Sequence, residues 1–282
     1  MLSSSGLTSI TIRALPISTL SLDRLQHILT SNSETLASVS LSFPAAHPAI
    51  LPLTPLTLAA LNSLSLSGHH LLVNLLDTLI LPSLESLNLT LDLSRNPDPL
   101  EETITSLLLR SHTPPLTSLT LAHGTNNFFY ATPGPGNGAF APWSFLNQLH
   151  SLTHLTVTHS AVEPLLVLLA GPDEENNNEW LCPELTVLTL RLCHPQGDGV
   201  AKLVTLVEAR NPDLANGHAP VVTVQGVVPT RLKSLELNDC LTVGVDVLGW
   251  LKSRVEEVIV IEPAYERCVI GSGTFLDGLV VD

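Results

Sequence analysis

The chain has 282 residues and is 44% hydrophobic but only 4% aromatic, so its apolar content is aliphatic, dominated by leucine and valine. Lys+Arg 12 against Asp+Glu 26 give a formal net charge of −14, which excludes the clustered cations that nucleic acids and anionic membrane surfaces require. Mean hydropathy is +0.33, yet the longest apolar runs, such as 165–170, fall far short of the roughly 20 residues a membrane-spanning helix needs.

The first residues, Met1 to Gly6, lack the basic start, apolar core and small-residue cleavage site of a secretory signal. From Leu7 a six-residue kernel, apolar-x-x-apolar-x-apolar, begins and recurs nine times. It reads LTSITI from Leu7, LASVSL from Leu36, LNSLSL from Leu61, LESLNL from Leu84 and LTSLTL from Leu116. It continues as LTHLTV from Leu152, LTVLTL from Leu185, LKSLEL from Leu232 and VEEVIV from Val255. The intervals are 29, 25, 23, 32, 36, 33, 47 and 23 residues, averaging 31. Within each kernel the fourth and sixth residues are apolar with a residue, usually polar, between them, the period-2 signature of a strand with one buried face.

Between kernels the period becomes helical. Leu22, Leu25, Ile28 and Leu29 form one apolar stripe, and Leu72, Leu75, Leu76 and Leu79 a second. In 98–108, Asp98 suits a cap, Pro99 the first helical position and Glu101 and Glu102 the positive end of the dipole, ahead of Leu100, Ile104, Leu107 and Leu108. After Asp198 the stripe is Val200, Leu203, Leu206 and Val207. Strand, crossover helix, strand in succession gives parallel pairing. The expected fold class is α/β, a horseshoe solenoid with a parallel concave sheet and convex helices in about nine irregular repeats, forming one domain over 1–282.

Four stretches interrupt the repeats: 124–143, 172–179, 211–230 and the C-terminal tail 264–282. The first carries aromatics at Phe128, Phe129, Tyr130, Phe140 and Trp143 around a Pro/Gly run at 133–138. Aromatics on a long loop act either as interface anchors or as a lid folded back between repeats. The second, acidic and Asn-rich, reads as a solvated loop. In the third, 221–224 is a candidate extra strand.

The kernel L-x-x-L-x-L extended by x-x-N/C-x-L is the pattern of leucine-rich-repeat proteins, and the chain resembles that family over residues 7 to about 263. The N/C position holds Cys193 and Cys240 in the seventh and eighth repeats and Leu15, Pro44, His69, Asp92, Gly124, Ser160 and Pro263 elsewhere, so there is no asparagine ladder. The irregular lengths, the 181–185 LCPEL lead-in and the 235–240 LELNDC run resemble the intracellular cysteine-type repeats of fungal F-box proteins. That resemblance implies a substrate-receiving surface for a ubiquitin ligase, with the ligase subunits reached through an F-box segment that these 282 residues do not contain. The alternative is a stand-alone scaffold or inhibitor. Four widely spaced cysteines and no signal segment point to a reduced, cytoplasmic or nuclear setting.

The third, fifth and seventh kernel positions should project from the concave sheet. In the first five repeats 12 of these 15 are Ser or Thr; in the last four only 4 of 12 are. The later set offers His154, Arg191, Glu236, Asn238 and Glu257, the chemical variety that recognition needs. These, with Phe128, Phe129, Tyr130 and Trp143, are the candidate protein-binding residues.

No phosphate-loop, G-x-S-x-G, H-E-x-x-H or C-x-x-C spacing occurs. His150, His154 and His159 lack a fourth ligand nearby. We therefore expect no catalysis, no cofactor and no metal. Leu7, Ile10 and Ile12 form a first layer without a polar cap, which predicts self-association there.

Overall fold

The structure, a computed structural model, describes residues 6–14, 21–92, 100–123, 143–159, 162–173, 179–193, 198–213, 228–240 and 242–261. All nine kernels are strands: β1 Ser9–Arg13, β2 Ser38–Phe43, β3 Ser63–His69, β4 Ser86–Asp92, β5 Ser118–His123, β6 His154–Thr158, β7 Val187–Arg191, β8 Ser234–Asn238 and β9 Glu257–Ile261. They form one sheet in chain order, every pair parallel. The register aligns kernel position with kernel position, as in Leu188 beside Leu155 and Leu235. Among the described residues six helices cross between strands: α1 Leu22–Thr30, α2 Leu72–Leu76, α3 Leu100–Arg110, α4 Glu163–Leu169, α5 Gly199–Arg210 and α6 Val245–Arg254. A 3-10 turn, Ser144–Gln148, serves the fifth crossover. Neighbouring helices pack in a row, α1 on α2, α2 on α3, α4 on α5 and α5 on α6. The chain is a leucine-rich-repeat solenoid, and this rests on the sequential parallel order and the rung-by-rung register.

The core is a stack of leucines between the sheet and the helix row. The fourth and sixth kernel residues of β2 to β8, from Val39 and Leu41 to Leu235 and Leu237, are buried. So is the helical stripe Leu22, Leu25, Leu29, Ile104, Leu107, Leu108, Leu203, Leu206 and Val207. Each buried leucine contributes roughly 1.5–3 kcal/mol from apolar burial, and stacking identical rungs repeats that contribution along the axis. At the entry to each strand the backbone makes a second ladder. From β2 to β8 the N–H groups of kernel positions two and three both donate to the position-two carbonyl of the preceding rung, as Asn62 and Ser63 do to Ala37, and Thr186 and Val187 to Thr153, and at β9 position three, Glu257, donates to Lys233. At the exit, position eight bends left-handed at His159 (φ 56), Leu192 (φ 49) and Asp239 (φ 51). The N–H of each of these donates to the last strand residue of the next rung.

Some expectations change. The second helix ends at Leu76, and Leu79–Ile80 instead pair as a short parallel strand with Leu56–Thr57. Five residues between kernels only 23 apart leave room for a single helical turn, so the rest of the crossover is extended. The ends of the acidic stretch are ordered: Pro172–Asp173 pair antiparallel with Glu179–Trp180, and 174–178 lie outside the described residues. Ile10 is buried, while Leu7 is exposed and Ile12 partly buried, so the first layer is only partly open. Asp98, Pro99, the 221–224 run and the tail 264–282 also lie outside the described residues. Gly68 (φ 103) is required where β3 passes β2, because a Cβ there would stand 2.0 Å from the Phe43 carbonyl oxygen.

Candidate protein-binding face

Kernel positions three, five and seven lie on the sheet face turned away from the helices, and most are half-buried or exposed. Thr189 is the exception and is buried. On β2 to β4 this face presents Ser38, Ser40, Ser42, Ser63, Ser65, Ser67 and Ser86, a run of small hydroxyls broken by Asn88, which accepts a hydrogen bond from the Thr90 hydroxyl at 3.1 Å.

The face of β6 to β9 differs. Arg191 at the end of β7 reaches the middle of β8, where its Nε and Nη2 donate to Glu236 Oε1 at 3.2 and 2.9 Å. Their side chains are 47% and 21% exposed, so the pair is solvent-screened and worth at most about 1 kcal/mol in the free protein. Asn238 lies beside Arg191 in the register. Glu257 accepts from the Ser234 hydroxyl at 2.9 Å. Beyond these, Ile259 and Ile261 on β9 are 40% and 49% exposed, a rare placement for two large aliphatic residues on a polar sheet. His154 is exposed at the start of β6, its Nδ1 2.8 Å from the Thr153 hydroxyl. The structure thus brings Arg191, Glu236, Asn238 and Glu257 onto three adjacent strands, with His154 one strand away. It adds Ile259 and Ile261, which the kernel positions already located as outward-facing.

The aromatic candidates separate. Trp143 is not on the surface: it is 6% exposed and packs its ring 6.1 Å from that of Phe145, because the 3-10 turn it precedes covers the core between rungs five and six. Phe128, Phe129 and Tyr130 lie outside the described residues.

Behind the face are polar groups the sequence reading missed. Arg210, the last residue of α5, is 1% exposed and donates to the carbonyls of Leu169, Cys182 and Leu181 at 3.0, 3.2 and 2.6 Å. Its guanidinium stands 5.5 Å over the Trp180 ring. Burial lowers Arg210 to about 10, so it remains charged at neutral pH. Burial likewise pushes the Cys182 thiol up to about 12, against the pull of the Arg210 charge. Asn211 exchanges two hydrogen bonds with the backbone of Leu232 and donates another to the Arg254 carbonyl. A visible signal existed for a further device: threonine at kernel position two in repeats five to seven. Thr117, Thr153 and Thr186 each donate a hydroxyl to the preceding position-two carbonyl, at 3.1, 3.0 and 3.2 Å, a threonine ladder along the entry side of the sheet.

Cys193 and Cys240 occupy the N/C position, both buried. Among the described residues no group of three or more His, Cys, Asp or Glu could hold a metal ion, and no helix is long and apolar enough to cross a membrane.

No family model and no curated protein matches the chain. Among solved structures it is similar to an internalin C2 of Listeria monocytogenes str. 4b F2365, at 16% identity and a TM-score of 0.41, over 90% of this chain and 80% of that one.

Proposed function

We propose that the chain is a non-catalytic protein-binding module and that its partner docks on the face of β6 to β9. The carrying observation is the exposed Arg191–Glu236 pair flanked by the exposed Ile259 and Ile261. An aliphatic patch supplies the apolar area that drives association, and the adjacent charges fix register and reject mismatched partners. The hydroxyl face of β2 to β4 offers no comparable anchor, since Ser side chains contribute little to hot spots.

Within that reading we place the chain as the substrate-receiving part of an F-box-type ubiquitin ligase, working in the cytoplasm or nucleus. What supports it is the cysteine-type character of repeats seven and eight, Cys193 and Cys240, and the resemblance those repeats carry. A stand-alone scaffold or inhibitor is the competing outcome.

Affinity capture with the wild-type chain, a Glu236→Lys/Ile259→Asp variant and a Phe128/Phe129/Tyr130→Ala variant tests both levels. A partner lost by the first variant and retained by a Ser65→Lys control establishes the face. Retention by the first variant and loss by the second moves the site to the insertion. If the captured complex of the full-length gene product lacks ligase subunits, the ligase placement fails and the scaffold reading stands.

A further inference from the structure

We propose that Cys193 and Cys240 form a redox-modification site, at which a hydroperoxide converts the two thiols into an intramolecular disulfide joining rung seven to rung eight. The two residues are 47 apart in sequence but equivalent in the repeat. Arg191 and Asn238 are register partners, and each cysteine follows two residues later across a left-handed residue, Leu192 or Asp239. That shared bend turns both side chains into the core in the same direction.

The Cys193 N–H donates to Cys240 Sγ at 3.2 Å. Cys240 Sγ is 3.2 Å from the Asn238 carbonyl. Cys193 Sγ is 3.2 Å from the Arg191 carbonyl and 3.6 Å from that of Val157. Adjacent strands stand about 4.8 Å apart, within the roughly 4.4–6.8 Å over which Cα atoms accept a disulfide. Rotation of the Cys193 side chain away from Val157 then brings its sulfur onto Cys240.

The chemistry is ordered by environment. Hydrogen bonding from Cys193 lowers the Cys240 thiol from its ordinary value, and the first attack on peroxide is assigned to that sulfur, acting as its thiolate. Cys182 is the internal contrast, buried and pushed up to about 12. With Cys193 at 0% and Cys240 at 5% exposure, the oxidant must be close to water in size, which selects hydrogen peroxide over a bulky disulfide such as oxidised glutathione.

In the first step the Cys240 thiolate attacks one peroxide oxygen. The O–O bond breaks, Cys240 becomes a sulfenic acid, and the departing hydroxide takes up the proton the thiol had released. In the second, Cys193 sulfur attacks Cys240 sulfur. The S–S bond forms, the S–O bond breaks, and hydroxide leaves with the Cys193 proton as water. The sum is two thiols and one peroxide giving one disulfide and two waters. The two sulfurs lose two electrons, and the peroxide gains them.

The test treats the full chain with equimolar hydrogen peroxide. The thiol titre of the denatured protein should fall from the four cysteines of the sequence by half, and dithiothreitol should restore it. An unreduced digest should contain a peptide joining Cys193 to Cys240, with Cys182 still a thiol. In Cys193→Ser, checked for folding by its thermal transition, Cys240 should instead accumulate as sulfenic acid, and a second equivalent of peroxide should carry it on to sulfinic acid. The wild-type digest decides the matter even if that variant does not fold. A linkage through Cys268, oxidation of Cys182 as fast as Cys240, or a Cys240 sulfinic acid without any Cys193 linkage would each overturn the proposal.

Discussion

Rungs two to five and rungs six to nine share one kernel but are held together differently. In the first group the fully buried polar side chains are neutral and bridge single gaps, and the part-buried Arg110 meets one carbonyl, that of Leu76. Gln26 exchanges hydrogen bonds with the backbone of Thr54, and Ser111 accepts from the Leu81 N–H at 2.9 Å. In the second group a buried cation, Arg210, gathers three carbonyls from two different stretches of chain, and Asn211 ties the entry of β8 to the end of α6. The repeat interval is 23 to 32 residues over rungs two to five and up to 47 beyond them. Longer crossovers leave more backbone groups that no neighbouring rung can satisfy, and a long side chain with several donors does what regular repetition does elsewhere. Irregularity and recognition also coincide: the half that needs these supports carries the varied face.

The largest expected effect comes from removing the cation. Arg210→Met keeps the apolar stem but orphans the carbonyls of Leu169, Leu181 and Cys182, and should cost about 3–5 kcal/mol. Because a solenoid is stabilised rung by rung, hydrogen exchange should accelerate first across β6 to β8 while β2 to β4 stay protected. Uniform acceleration would show that the two halves are not separate in stability. The group adds no pH slope near neutrality. Burial holds its folded-state value at about 10, below the usual guanidinium range, so the unfolded chain binds the proton more tightly and stability rises with pH only in the strongly alkaline interval above that value.

The converse experiment lies in the first half. Gly68→Ala places a Cβ against the Phe43 carbonyl oxygen in a backbone conformation L-residues avoid, at a cost of about 3 kcal/mol. Exchange should now rise across β2 to β4 and leave β7 and β8 unchanged. The smallest effect is expected for Thr153→Val, which removes one hydroxyl from the threonine ladder while keeping the shape, for about 0.5–1 kcal/mol by chemical denaturation. A cost well above 2 kcal/mol would mean the ladder, rather than leucine packing, holds rungs five to seven in register.

Much of the candidate site was legible for the same reason as the fold. Strand periodicity assigns every kernel residue to one face, so Arg191, Glu236, Asn238 and Glu257 could be placed outward from sequence alone. That Arg191 passes over its own register partner Asn238 to reach Glu236, the partner of Thr189, could not, because it depends on the side-chain conformations the packed rungs allow. Trp143 shows the opposite failure. An aromatic beside a glycine-rich stretch has no periodicity to assign its face, and here it fills the gap above Phe145.

The sequence by itself determined the number of rungs, the alternation of strand and crossover, and which leucines are buried, since these follow from local periodicity and the repeat. Only the tertiary structure decided which polar groups go inside. Arg210 and Asn211 look like an ordinary helix C-terminus in sequence, and become buried because the carbonyls of distant segments converge there and a dry interior demands that each be met. The contact of Arg191 with Glu236 between rungs seven and eight is likewise a consequence of how the rungs pack.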